Sequence, residues 1–114
     1  AIKLKNGENS FIFTGDADFN CEADMVNSGL DLSCDVLSVG HHGSATSTSW
    51  DFLQATVPEF AVISCGVGNM YGHPHADTME NCQIWEFRYI ALMNREPLWL
   101  LRMEVLLPGV QILQ

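Results

Sequence analysis

Short apolar segments that alternate with helix-like segments constrain the fold of this 114-residue chain more than any other feature. The apolar segments are SFIFTG, CDVLSVG and FAVISCG, and the second is too uniformly apolar to be solvated on one face. Between them lie ADFNCEADMVNSG, with apolar residues at helical spacing, and WDFLQAT, a helix that either Ser49 or Thr48 can cap. The order β-α-β-α-β-α over residues 11–80 therefore predicts an α/β layer with parallel strands.

The first residues predict a β-hairpin in front of this layer. AIKLK and SFIFTG are short β-prone runs on either side of NGEN. Asn-Gly between two such runs is a strong hairpin signal, because both residues tolerate a positive φ.

Composition and charge exclude several classes of protein. With 47% hydrophobic and 17% charged residues, wholesale disorder is excluded. A net charge of −9 repels phosphate backbones, so we expect no strong nucleic-acid affinity from the chain's own charge. No apolar run reaches the roughly 18 residues of a membrane span. The start carries neither Met nor a signal peptide, so we expect the interior of a longer protein.

The spacing of the four cysteines favours free thiols over a cysteine metal site. Cys21, Cys34, Cys65 and Cys82 contain no CxxC spacing, which makes a cysteine zinc site improbable. One disulfide is an alternative, but the sequence does not select its partners. We expect free, partly buried thiols.

Polar residues that can bind a metal follow each of the three predicted strands. Asp16 follows FIFTG, His41 and His42 follow VLSVG, and His73 and His75 follow AVISCG. The carboxyl ends of parallel strands meet at one edge of a sheet, where ligands gather. Taken singly, Asp16 is typical of a turn and His73 of a loop. Together, carboxylate and imidazole are the usual ligands of zinc or manganese in a hydrolytic site, so we favour a metal or phosphate-chemistry site.

The loop after the second strand suggests how such a site would be supported. Gly43 and Ser44 are small, so we expect them to let the backbone come close to a bound substrate. The hydroxyls of residues 44–49 are plausible hydrogen-bond partners for the free ring nitrogens of the histidines.

The same segments resemble the C-terminal half of a metallo-β-lactamase-fold hydrolase, most closely the domain of ComEC-type DNA-uptake proteins. The resemblance covers residues 11–80 and rests on strand-GD, then strand-GHHGS-x-TS-TS, then P-x-x-AVIS-x-G-x-N-x-YGHPH. It implies that residues 1–80 form half of an αββα sandwich, with a mixed sheet and flanking helices.

The resemblance also implies roles for the polar residues. Asp16 matches the aspartate that bridges two divalent metal ions, zinc or manganese, in the intact domain. We assign His41 as a metal ligand and His42 as a catalytic residue facing the substrate, with the reverse assignment left open. His73 lies near the position of the last ligand histidine, and His75 is assigned a catalytic role. In such sites the metals activate water, and a neighbouring histidine protonates the leaving group.

One motif of the family is absent from this chain. The H-x-[HD]-x-D-H sequence, which supplies much of the metal shell, belongs to the N-terminal half. We therefore expect a fragment of an extracytoplasmic or secreted hydrolase of DNA-like phosphodiesters or phosphate esters, inactive and weakly metal-binding without its missing half. The alternatives are a non-catalytic truncated fragment or pseudogene product and, less favoured, a small His-rich metal-binding module.

The character of the chain changes at Asn81. Residues 81–114 are Leu-rich and aromatic, and Pro97 and Pro108 interrupt any long helix. An amphipathic or membrane-associated segment is one interpretation. Back-translation with permitted codons, read one base out of phase, gives the helix end, Val-Tyr-Arg-Thr strand and hairpin typical of the family. We therefore hypothesise that residues 81–114 are an atypical, frameshifted tail.

Overall fold

A five-stranded mixed sheet forms the centre of the computed structural model, which describes residues 1–66, 68–84 and 88–93. The elements in chain order are β1 Ile2–Asn6, β2 Asn9–Phe13, α1 Phe19–Asn27, β3 Val36–Ser38, α2 Trp50–Thr56, β4 Phe60–Cys65, α3 Ala76–Ile84 and β5 Arg88–Met93. The strand order is β1-β2-β3-β4-β5, with β1 antiparallel to β2 and all the other pairs parallel. The predicted α/β layer with parallel strands is confirmed.

The predicted hairpin is also confirmed, with its turn displaced by one residue. Asn6 pairs with Asn9 across β1 and β2, so the two turn residues are Gly7 and Glu8. Gly7 has a φ of +63°, which glycine adopts without steric cost. The hairpin adds β1 to the edge of the parallel strands.

All three helices pack on the same face of the sheet. Every second side chain along a strand points to this face. Ile12, Leu37 and Ala61 are register partners on β2, β3 and β4, so their side chains share it. Helices α1 and α2 cover its first half in a core of Ile12, Cys34, Leu37, Phe52 and Leu53, with Met25, Val26 and Leu32 at its margin. Helix α3 covers its second half through Met79 and Cys82, in a core with Val39, Ala61, Ile63 and Cys65.

The opposite face of the sheet is apolar as well. Phe11, Val36 and Phe60 are register partners across β2, β3 and β4, and they form a buried cluster with Val62 at its margin. Ile2 and Phe13, at the end of the hairpin, lie on this face with about half or more of their surface exposed. A sheet that is apolar on both faces is typical of a strand layer between two covering layers.

All four cysteines are free thiols, which confirms the prediction. Cys34, Cys65 and Cys82 are buried, whereas Cys21 is exposed. Burial raises the pKa of the Cys34 and Cys82 thiols to about 11, so both remain protonated at neutral pH.

The predicted boundary at residue 80 falls inside α3, which continues to Ile84. Part of the predicted tail forms β5, parallel to β4. The rest of the tail, residues 85–87 and 94–114, lies outside the described residues. The frameshift hypothesis concerns the gene and stays a hypothesis.

Across the described parts of the chain, no helix combines the length and the apolar character that crossing a membrane requires.

The helix-covered core provides a stability test. Leu53 is fully buried in α2, so Leu53→Ala should lower the free energy of unfolding by about 2–5 kcal/mol through lost contacts and a residual cavity. Leu30→Ala is the control, because Leu30 is 73% exposed, and it should change stability by less than about 0.5 kcal/mol. Urea unfolding measures both, and equal losses would contradict this description of the core.

Candidate functional site

All five predicted site residues come together at the carboxyl ends of β2, β3 and β4, and the ring of His75 lies 4.7 Å from that of His73. The ring centroids of His41, His42 and His73 lie 5.8–6.5 Å apart. The Asp16 Oδ1 atom lies 4.0 Å from Nε2 of His42. The parallel order of the strands produces this convergence, because each strand delivers its following loop to the same edge.

A left-handed turn presents the two adjacent histidines. His41 has φ 48° and ψ 44°, His42 has φ 56° and ψ 28°, and Gly43 has φ 79°. For a residue with a Cβ atom this conformation costs roughly 1–2 kcal/mol, so the surroundings must hold it. The His41 N–H donates to the Gly15 carbonyl at 2.9 Å, and the Ser44 N–H donates to the His41 carbonyl at 3.0 Å. The turn is thus fixed to the loop that carries Asp16.

A hydrogen bond sets the tautomer of His42. Its Nδ1 lies 2.7 Å from the Ser64 carbonyl oxygen, which only accepts, so Nδ1 carries the proton. The neutral ring then has its lone pair on Nε2, the atom that faces Asp16. Histidines that ligate metals usually donate their other ring N–H to such an acceptor. This geometry favours His42 over His41 as a metal ligand, which is the alternative that the sequence left open.

His75 links two loops through both of its ring nitrogens. The Ala45 N–H donates to Nδ1 at 2.9 Å, so the neutral ring carries its proton on Nε2, which donates to the Tyr71 carbonyl at 2.9 Å. The His75 N–H also donates to the Gly43 carbonyl at 2.8 Å. These bonds favour a role in positioning the histidine loops, whereas the predicted catalytic role of His75 stays a prediction.

Gly43 packs against the loop after β4. A Cβ atom on Gly43 would lie 2.7 Å from Cβ of Pro74, so the space beside Gly43 is already filled by the loop after β4. The expectation that Gly43 and Ser44 let the backbone come close to a bound substrate stays a prediction.

The hydroxyl groups of residues 44–49 were expected to bond the ring nitrogens of the histidines, but those of Ser44 and Ser47 bond within the loop itself. Ser47 Oγ donates to the Gly40 carbonyl at 2.8 Å, and Ser44 Oγ lies 3.0 Å from Thr46 Oγ1. These bonds fold the loop on itself. The ring nitrogens of His42 and His75 instead use backbone partners.

A buried carboxylate that the sequence analysis did not single out anchors the end of the same loop. Glu22 of α1 is 1% exposed. The N–H groups of Thr48 and Ser49 donate to its two oxygens at 2.5 and 2.8 Å. Thr48 has a φ of +62°, so this anchor holds another left-handed residue. The signal in the sequence was the helical spacing, since Glu22 lies one turn from both Phe19 and Val26 on the predicted apolar side.

The environment of His73 favours its neutral form. Partial burial, together with the nearby rings of His75, His41 and His42, lowers the pKa of His73 below its ordinary value. A neutral imidazole keeps the lone pair that a metal ion needs.

The described side chains include no complete metal-binding group. Over residues 1–66, 68–84 and 88–93, no group of three or more His, Cys, Asp or Glu side chains is placed to hold a metal ion. Asp16 and His42 provide the carboxylate and imidazole chemistry that zinc or manganese prefers, and both side chains are more than half exposed.

Comparison with known proteins relates the chain to competence proteins. It is 38% identical over 87 residues to ComE operon protein 3 of Bacillus subtilis (strain 168), and the matched region covers 76% of this chain and 11% of that protein. It is 43% identical over 74 residues to Competence protein ComA of Neisseria gonorrhoeae, covering 64% of this chain and 11% of that protein. It is 42% identical over 79 residues to Recombination protein 2 of Haemophilus influenzae, covering 69% and 10%.

The chain thus spans about a tenth of the length of each of these relatives. No family model matches it.

The Glu22 anchor generates a prediction. Glu22→Ala should lower the free energy of unfolding by about 2–4 kcal/mol, because it removes the acceptors of two backbone N–H groups, of which that of Thr48 belongs to a fully buried residue. Asp24→Ala, an exposed carboxylate of the same helix, should change stability by less than about 0.5 kcal/mol. Urea unfolding with matched baselines measures both. Similar losses for the two variants would show that Glu22 is no anchor.

Proposed function

We propose that this chain is the C-terminal half of a metallo-β-lactamase-fold hydrolase domain, of the type found in ComEC-like DNA-uptake proteins. Its intact form would use divalent metal ions to hydrolyse a phosphodiester such as DNA, or another phosphate ester. The observation that carries the proposal is the Asp16–His42 pair, with a carboxylate 4.0 Å from a ring nitrogen whose tautomer is set by the Ser64 carbonyl.

The comparisons support the biological setting of the proposal. Of the similar proteins, one is named a ComE operon protein, one a competence protein and one a recombination protein. We infer from the resemblance that the intact protein works outside the cytoplasm, on DNA that is being taken up.

The second face of the sheet supports the half-domain interpretation. The apolar cluster of Phe11, Val36 and Phe60 consists of strand residues, while the described helices pack on the other face. In an αββα sandwich this face packs against a second sheet. The partner that we propose for it is the N-terminal half of the same domain, which would also bring the H-x-[HD]-x-D-H motif.

The residues of this chain would divide the work of the intact site. Asp16 and His42 would hold metal, and His73 would join them after a movement of its side chain. His41, with its ring 5.8 Å from that of His73, would face the substrate. A bound divalent ion would polarise a phosphoryl oxygen and lower the pKa of water. His75 would hold the loops that carry the histidines in position, through its hydrogen bonds with the backbone of Ala45 and Tyr71.

A second candidate is a non-catalytic fragment whose fold survives without chemistry. It is favoured by the absence, among the side chains that the structure describes, of a metal-holding group of three. Metal binding separates the two candidates, because the hydrolase proposal requires a surviving partial site.

Metal titration tests the proposal. Isothermal titration of the chain with Zn²⁺ or Mn²⁺ should give weak binding, and Asp16→Ala and His42→Ala should each weaken it by about tenfold or more, because each removes a ligand. Asp24→Ala is the matched carboxylate control and should leave the affinity unchanged. Adding an N-terminal half that carries the missing motif should raise the stoichiometry to about two ions and give metal-dependent hydrolysis of bis(p-nitrophenyl) phosphate. No binding by the chain, or equal binding by the variants, would support the non-catalytic fragment instead.

A further inference from the structure

We propose that the exposed ring of Tyr71 is a stacking subsite for a nucleobase of single-stranded nucleic acid, next to the cluster of Asp16, His41, His42 and His73. The inference rests on the proposed function and narrows its substrate class from phosphate esters in general to a nucleic-acid strand.

The geometry around Tyr71 forms a flat aromatic platform. Its ring lies nearly parallel to that of His73, with an interplanar angle of 23° and a centroid distance of 5.6 Å. Tyr71 is nevertheless 70% exposed, so most of its ring surface remains open to solvent. A base that stacks on the open face of Tyr71 would have the Tyr71 ring between itself and His73. The rings of His41 and His42 lie next to His73.

The backbone that carries this ring is held in place. Asn69 accepts the N–H groups of Tyr71 and His73 on Oδ1, at 3.2 and 2.9 Å. Its Nδ2 donates to the carbonyls of Gly66 and His73 at 2.8 and 2.7 Å. The Tyr71 carbonyl accepts from His75 Nε2. An exposed aromatic side chain on so constrained a segment is preorganised for binding, because little loop entropy is lost on contact.

The charge of the chain explains why stacking would be needed. A net charge of −9 repels a phosphate backbone, so contacts that carry no charge must contribute to holding a strand. Stacking on an aromatic ring is such a contact, and it tolerates any base. A quaternary ammonium ligand is the other group that aromatic rings attract, but it is recognised by a cage of rings around the cation. Tyr71 and His73 form a single platform, which favours a flat base.

The test uses the whole 114-residue chain without metal, at a salt concentration that screens its negative charge. NMR titration with a short oligothymidylate should shift the Tyr71 ring resonances upfield. Tyr71→Ala should weaken binding by about tenfold, and Tyr71→Phe should retain it, because the phenyl ring keeps the stacking face. Met70→Ala is the matched control, since Met70 is 89% exposed on the same segment and carries no ring.

An oligonucleotide of the same length with abasic sites completes a double-mutant cycle. It should bind the unmodified chain about tenfold more weakly than oligothymidylate does, and Tyr71→Ala should cause no further loss with it. Equal binding of the abasic and base-bearing strands, no binding of either, or Tyr71 shifts with phosphocholine but not with oligothymidylate would overturn the inference. Because these measurements need no metal, failure of the hydrolase proposal in metal titration is distinguished from failure of the stacking subsite.

Discussion

The left-handed turn at His41, His42 and Gly43 is the constraint on which the rest of the site depends. Two consecutive non-glycine residues in this conformation are unfavourable by roughly 1–2 kcal/mol each, so the turn persists only where neighbouring elements hold it. It is held by the Gly15 carbonyl on one side and by the His75 N–H on the other. These two contacts come from the loops after β2 and β4, which flank the turn on the sheet. Strained backbone of this kind is typical of functional sites.

The rest of the loop is fixed by buried polar groups. Glu22 satisfies the N–H groups of Thr48 and Ser49, and Thr78 Oγ1 donates to the Ser44 carbonyl at 2.9 Å. Helices α1 and α3 thereby hold the loop from both sides. The bonds of the Thr48 N–H and of Thr78 Oγ1 lie in the interior, where an unpaired polar group is costly, so the loop has little freedom to rearrange. The same helices build the apolar core, which couples the stability of the fold to the geometry of the histidines.

The two faces of the sheet differ in what covers them. The helices and the core of Leu37, Phe52 and Leu53 account for one face, and the opposite face carries Phe11, Val36 and Phe60. The candidate site lies at the edge between these faces, at the ends of the strands. A second layer on the strand-only face would therefore lie beside Asp16 and His42, where additional ligands would be required. The layer that would complete the proposed domain would thus also be the layer that completes its metal site.

The sequence by itself determined the element order up to α3, the parallel layer, the hairpin, the free thiols and the edge at which Asp16 and the four histidines meet. These follow from local periodicity and from the rule that parallel strands end at one edge, which need no coordinates. Only the tertiary structure decided which ring nitrogen of His42 is free, that Gly43 makes room for Pro74, and that Glu22 is an anchor rather than a surface acid. The reason is that these depend on contacts between residues about 20 to 30 positions apart in the chain, and hydrogen-bond partners at that separation are set by packing and not by local sequence pattern.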